Sequence, residues 1–417
     1  LPLKNQGNPL TMNLTGKISK RNFYSLLWHA GFLALSRPFM DVDTVIPAMM
    51  VDAGGTAVQI GILTAIMMGG SSFTQLIFAP FISNFAYKKK FLLLGINSRI
   101  LALFGMGIML FYSAQIEPAN VIWLIFLLIT IFSLSGAFAN ISYTDIFGKS
   151  VLPELRKPFF SLKQVINGTL LFVSALLAKK ALGVATYPYN YGYMFFIAFG
   201  ALFMASLGFW NLKEVTPSKL RVSSPRHFVS LIKVELTSNP RLKYFLGFIN
   251  TMGISISLLP FIILYGKEVL HTESSATGWF LLFKIVGSVL TGFILFLLAG
   301  KYKYRNLLYG SAAFSVMMPL LLFIPFQMPA LVTIFVVGGV VFTAYSISMN
   351  GVLLEISGTT NRALYTGIAG AGNILPAVFP LLGGWIIKSY GYEPFFMLYS
   401  LTILSSLYFI YKLNCKK

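Results

Sequence analysis

The stretch Arg37-Pro38-Phe39-Met40-Asp41-Val42-Asp43-Thr44 places three ionisable side chains inside an apolar run from about Phe23 to Val51, long enough to cross a bilayer. A charge near the bilayer centre costs roughly 2.5–3.5 kcal/mol on insertion scales, so such residues are expected to have a partner and a task. Arg37 and Asp41 are four apart, on one face of a continuous helix, and are expected to pair. Asp43 is turned about 200° from Asp41 and has no cation on its own face. It is the expected proton carrier, because proton coupling needs a carboxylate whose neighbours change its proton affinity between states. A sodium site from oxygens of Asp41, Asp43 and Thr44 is the weaker alternative, since the two carboxylates point to different faces. The plainest alternative is an Arg37–Asp41 pair that only fixes the helix in its bundle.

Three more cations lie deep in apolar runs: Arg99, Lys163 and Lys284. Lys284 is about ten residues from either end of its run, too deep for easy snorkelling. It is expected to pair with an aspartate of the first run or to hold an anionic group of a ligand. Lys163 has Asn167 one turn away; its alternative, about five residues in from Pro158, is to snorkel to the headgroups. Arg37, Lys163 and Lys284 together favour a ligand with a negative group. Tyr143 and Tyr345, with Asn140, Ser142, Ser348 and Asn350 nearby, offer polar and aromatic ligand contacts, or interhelical hydrogen bonds worth only about 0.6 kcal/mol each. Arg99 is expected to pair with Asp145. Lys88, Asp145, Arg156, Glu355 and Arg362 stand at the ends of runs, where they could gate; for Glu355 a solvated helix end is the alternative.

These residues need elements to hold them, and the composition says of what kind. Hydrophobic residues make up 56% of the chain and charged residues 11%, with mean hydropathy +0.77. Soluble domains carry about a quarter charged residues. The chain therefore reads as an all-α polytopic membrane protein. A single cysteine, Cys415, and three scattered histidines offer no disulfide framework and no metal cluster. There is no phosphate-cradling glycine loop and no nucleophile–base cluster. No cofactor, no metal and no enzymatic activity are expected.

Apolar runs fall at about 22–51, 56–82, 91–112, 119–144, 159–182 and 190–212, then at 244–266, 275–299, 305–326, 329–355, 362–387 and 393–411. Each has the length of a spanning helix, and the short alternating segments of a barrel are absent. With the N-terminus inside, 24 of the 32 Lys and Arg fall in inside segments and 4 in outside loops. That asymmetry sets the orientation, with both termini cytoplasmic, and it explains the high isoelectric point without a nucleic-acid partner. The expected layout is a tail over 1–20, a six-helix bundle over 21–212, a linker over 213–243 and a second bundle over 244–417. In the linker, Phe228, Leu231, Ile232 and Leu236 recur at helical spacing opposite Arg226 and Lys233, as in a helix lying on the membrane surface. The polar start lacks the apolar core of a signal peptide; Met12 reads as the natural first residue, with 1–11 an addition.

The two halves repeat weakly. Pro47 and Pro260 are 213 apart, as are Lys88 and Lys301; Arg156 and Arg362, and Asn167 and Asn373, are 206 apart. Parallel repeats of this kind put a ligand site at mid-depth between halves. Twelve runs, a long central linker and basic loops after the second and eighth runs resemble the major facilitator superfamily over residues 20–412. The family's signature after its second helix, Gly-x-x-x-Asp-Arg-x-Gly-Arg-Arg, survives here only in its basic end, Lys88–Lys90; Ser83 holds the aspartate position and both glycines are Ala79 and Ala86. Phe379-Pro380 with Gly383-Gly384-Trp385, and then Tyr390-Gly391-Tyr392-Glu393-Pro394, are similar to the family's eleventh helix and the turn after it.

The resemblance implies a cavity lined by helices 1, 4, 7 and 10, flanked by 2, 5, 8 and 11. It implies secondary active transport of a small organic solute by alternating access, expected to be anionic or zwitterionic and coupled to a proton or, as the weaker alternative, a sodium gradient. Arg37, Lys163, Asn167, Lys284, Tyr143 and Tyr345 would bind substrate, and Asp41 and Asp43 would couple. Symport and antiport both fit. The expected setting is the inner or plasma membrane, among lipids, as a monomer. An exporter of amphipathic compounds or lipids is the alternative within transport; a receptor, scaffold or scramblase without gradient coupling is the alternative outside it.

Overall fold

The computed structural model describes residues 14–217, 234–298, 301–323, 326–357, 365, 368–370 and 372–413. Arg362 and the linker residues Arg226, Phe228, Leu231, Ile232 and Lys233 lie outside the described residues, as do residues 1–13 of the tail. Among the described residues every regular element is helical.

The local reasons for the helix starts are visible. Thr15 Oγ1 accepts the Ile18 N–H at 3.3 Å and opens α1 (Gly16–Ser36). Pro38 brings no N–H to continue the α-helical ladder, and the chain tightens into a 3-10 turn over Arg37–Met40. Asp41 is then extended, at φ −64° and ψ 126°, before α2 (Val45–Asp52) begins. The break frees backbone groups, and a side chain takes up one of them: Asp41 Oδ1 accepts the Asp43 N–H at 3.1 Å and the Thr44 hydroxyl at 2.8 Å. A capping box of Thr56 and Gln59 opens α3 (Ala57–Ser83). α4 (Lys89–Phe111), α5 (Pro118–Ser150), α6 (Pro153–Leu182) and α7 (Tyr189–Asn211) complete the first bundle, with Pro opening α5 and α6.

The second bundle repeats the device. α8 (Pro240–Met252) gives way to a 3-10 turn over Gly253–Ser257 before α9 (Leu258–Glu268). Pro47 is the third residue of α2 and Pro260 the third of α9, so the 213-residue repeat is also a repeat of the break itself. α10 (Ser274–Leu297), α11 (Tyr304–Leu320), α12 (Gln327–Ser357), α13 (Leu375–Tyr390) and α14 (Tyr392–Leu413) follow.

Among the described residues ten helical segments are long and apolar enough to cross a membrane, with α8 and α9 acting as one and Ile368–Tyr390 as another. The remaining two of the twelve expected, α1 with α2 and α3, are present as helices. The break and its charges interrupt the former, and an apolar stretch of α3 is described over Ala57–Gly70. Several helices outrun their apolar runs, because the backbone ladder continues without apolar side chains. α5 reaches Ser150, and α6 starts at Pro153 with Pro158 inside it.

In the first bundle α1 packs on α6 and α7, α4 on α5 and α7, and α3 on α5. In the second, α10 packs on α12, α11 on α12 and α14, and α8 on α14. The bundles meet where α3 lies on α13 and α6 on α10, with α2 against α9 and α10. Small residues on both helices permit the α3–α13 contact. A methyl group on Gly61 would enter the Pro380 carbonyl, and one on Gly384 would enter the Ala57 carbonyl. Gly339 likewise brings α12 onto the carbonyl of Lys284 and so fixes the backbone that carries that lysine.

Candidate functional site

Lys284, near the middle of α10, crosses from the second bundle to the first. Its ammonium donates to Asp41 Oδ2 at 2.7 Å, Asp41 Oδ1 at 2.9 Å and Asp43 Oδ2 at 2.5 Å. Lys284 and Asp43 are each only 7% exposed. The helix break makes this possible: with the chain extended at Asp41, both carboxylates turn to one cation instead of pointing to opposite helix faces. The two carboxylates differ in their support. Asp41 also receives the Thr44 hydroxyl and a backbone N–H, whereas Asp43 has Lys284 as its side-chain partner. Beyond Asp43 lies a small void lined by Ser255, Ile256, Leu259, Gly338, Val341 and Phe342, where the Ser255 hydroxyl is buried and has no hydrogen-bond partner.

The expected Arg37–Asp41 pair does not form. The 3-10 turn stretches and overwinds the chain between the two residues, and the extended Asp41 carries its carboxylate to Lys284, so among the described residues Arg37 is left without a carboxylate. Arg37 is exposed, and its turn packs on α1, α6 and α7. Lys163 is ten residues into α6, about 15 Å from the helix start, because the helix begins at Pro153 and not at Pro158; the snorkelling alternative is thereby weakened. Its ammonium lies 5.6 Å from the Tyr143 ring centre and 6.0 Å from that of Phe159. Asn167, one turn on, has a buried and unpartnered Oδ1. Arg99 does not reach Asp145: its guanidinium lies over the Phe132 ring at 4.0 Å and its Nε is buried without an acceptor. Arg37 is an electrostatic neighbour of both Lys163 and Arg99. Among the described residues none of these three cations has a carboxylate within 4.0 Å.

Tyr345 belongs to the other bundle, 4% exposed and tilted against Phe248 beside the Gly253 turn. The expected gate residues separate into two groups. Lys88 bonds Asp145 at 3.0 Å, and Lys149 joins Asp145 to Glu214 at 2.8 and 2.7 Å. Arg156, at the same end, donates to the backbone carbonyls of Gly148 and Val151. Glu355 is held by Arg241 at 2.6 Å within the second bundle.

Two arrangements had no signal in the sequence. Glu214, at the start of the linker, accepts the backbone N–H groups of Lys88 and Lys89 and so caps α4 from a distance, at 2.8 to 3.0 Å. At the opposite end Asp52 closes α2 on the second bundle: Lys267 Nζ donates to it at 2.6 Å, and the Ser274 and Tyr191 hydroxyls at 2.8 Å each. An aspartate at the edge of an apolar run reads as a solvated end, and only the fold brings its partners to it.

No protein-family model matches the sequence, and no curated protein matches it. Solved structures do match in shape. A point mutant of the nucleoside transporter NupG superimposes with TM-score 0.69 at 14% identity, over 94% of this chain and all of that one. A POT family transporter in complex with a thioalcohol-conjugated peptide gives 0.67 at 12% identity, over 94% and 97%. A D-xylose–proton symporter gives 0.66 at 12% identity, over the same shares. For two repeated bundles whose described regular elements are all helical and which meet over a buried triad, this likeness identifies the fold as the one these transporter structures share.

Proposed function

We propose that the chain is a secondary active transporter of a small organic solute with an anionic group, working by rocking of the bundles 21–212 and 244–417 and driven by a proton gradient. The observation that carries this reading is the bridge of Lys284 to Asp41 and Asp43 across the bundle interface. Two carboxylates against one ammonium leave one negative charge in excess, buried where the bundles must separate. A buried, uncompensated charge is costly. One proton balances the triad, and the hydrogen-bond pattern directs it to Asp43, since Asp41 is already supplied by Thr44 and the Asp43 N–H. Protonation leaves Lys284 shared with Asp41 alone and loosens one tie between the bundles. The proton-driven step is thereby linked to the change of state.

Substrate recognition falls to Arg37, Lys163, Asn167 and Tyr143 on the first bundle, with Lys284 committed to the triad and Tyr345 facing from the second. The Lys88 end is read as cytoplasmic from the 24-to-4 distribution of basic residues, which puts Asp52 and Lys267 at the outer end. Lys88, Asp145, Arg156 and Glu355 would then act at the inner end. Import and export are both open to such a device.

The test uses proteoliposomes with a trapped pH indicator and a panel of small organic acids. Addition of a transported acid is expected to move protons in the same time course as the solute, and that flux is expected to disappear in Asp43→Asn. Solute movement without proton movement would replace the proton reading with facilitated diffusion or another coupling ion.

A further inference from the structure

The charges at depth do not balance, and the imbalance has a size. Outside the basic ends and loops, the chain carries four cations: Arg37, Arg99, Lys163 and Lys284. All four sit at the break of the first segment, ten residues into α4 and α6, or near the middle of α10. Two carboxylates, Asp41 and Asp43, share that depth, and both are taken by Lys284. Asp145 and Glu355 lie in the last turns of α5 and α12, bound to Lys88, Lys149 and Arg241. The triad carries one negative charge in excess and the neighbouring cations Arg37, Lys163 and Arg99 on the first bundle carry three positive ones, so the net surplus at depth is two positive charges.

Resting on the proposal of an anionic substrate, we infer that the substrate presents two negative charges, as a phosphate monoester or a dicarboxylate does, and that Arg37 and Lys163 hold them. Three independent features point to a ligand there. Arg37 is exposed on a turn packed among α1, α6 and α7, and among the described residues it has no carboxylate within 4.0 Å, so its charge is open to a ligand. Lys163 keeps its ammonium over the faces of Tyr143 and Phe159, a position that compensates only part of a charge. Arg99 sits behind with a buried, acceptor-less Nε, which adds positive potential but no open donor fork. A dianion brings the interior to neutrality when Asp41 and Asp43 are both ionised, which removes the surplus before the bundles close over it. A monoanion leaves one positive charge uncompensated, and a neutral sugar leaves two. The planar guanidinium of Arg37 suits a fork on phosphate or carboxylate oxygens, and the lysine supplies a second point charge.

The test compares matched pairs of probes that share a head group and differ by one charge: sulfate against methanesulfonate, and methyl phosphate against dimethyl phosphate. Thermal stabilisation of the full chain in lipid nanodiscs is read at pH 8 and constant ionic strength. The dianion of each pair is expected to stabilise at a concentration lower by about tenfold or more, as a second charge-assisted contact implies. In Lys163→Gln that advantage is expected to shrink towards parity, and Arg37→Lys is expected to retain the preference for charge at weaker affinity. Should Arg37→Lys fail to fold, the half-buried Lys163 still carries the comparison. Equal potency of both members of each pair, lost together in Lys163→Gln, would overturn the two-charge inference and leave an anion site standing. Stabilisation by neither member, or stabilisation that survives both substitutions unchanged, would overturn the anionic reading itself.

Discussion

Lys284 and Asp43 are 241 residues apart in the chain and 2.5 Å apart in space, in different bundles. Their contact exists because the first segment stops being helical at Asp41 and because Gly339 lets α12 press on the backbone of Lys284.

The triad is expected to respond unequally to its members' removal. Lys284→Ala leaves two carboxylates facing each other in a dry interface, whereas Asp43→Asn leaves one ammonium against one carboxylate. Stripping one partner from a buried pair costs about 3–5 kcal/mol. Lys284→Ala is therefore expected to lower the melting temperature markedly, Asp43→Asn much less, and Lys284→Ala combined with Asp41→Asn and Asp43→Asn to recover part of the loss. A thermal-shift series on the purified variants checks the order.

Asp52 is expected to act as a latch at the outer end. It gathers Lys267 and Ser274 from one bundle and Tyr191 from its own. With Cys415 replaced by Ser, a cysteine placed at the buried Thr277 is expected to react slowly with a membrane-impermeant maleimide, and severalfold faster when Lys267→Ala or Asp52→Ala is added. An unchanged labelling rate would show that this contact does not keep the outer end shut.

Glu214 is expected to matter more than its place at the edge of a linker implies. Glu214→Gln keeps one acceptor oxygen for the N–H groups of Lys88 and Lys89 but loses its ion pair with Lys149. A charge-assisted hydrogen bond of this type contributes about 1.5–3 kcal/mol. Denaturation of Glu214→Gln and Glu214→Ala, compared with Glu393→Gln at the start of α14, measures the specific loss.

Gly384→Val is expected to separate the bundles at the α3–α13 contact. Even the first side-chain carbon would meet the Ala57 carbonyl and the Val58 backbone, at 3.0 Å for the Val58 Cα. Transport is expected to fall by more than tenfold with modest loss of folded yield, as read by uptake normalised to monodisperse protein. Gly310→Ala, at a position with open space around it, is the control.

The helices and the two-bundle plan were legible because hydropathy, proline spacing and the bias of basic residues all report on the same requirement, that backbone groups in lipid be satisfied within helices. The site was legible as a set of residue types at depth, and much less as a set of pairs. Arg37 and Asp41 had the spacing of a helical pair, but the spacing rule holds only on an unbroken helix, and Pro38 ends that helix one residue after Arg37. Lys163 looked shallow because Pro158 read as a helix start, although a proline can also sit inside a helix whose earlier turns are polar, as α6 is. Asp52 gave no signal, since its partners are 139, 215 and 222 residues away.

The central claim is that a proton on Asp43 is linked to the movement of the bundles, and gradient-driven uptake against exchange measures it most directly. In proteoliposomes loaded with the organic acid that stabilises the protein best, Asp43→Asn is expected to abolish accumulation driven by a pH gradient while leaving solute exchange across the bilayer within a fewfold of the unmodified protein. Accumulation that persists in Asp43→Asn with its usual dependence on pH would contradict the mechanism outright.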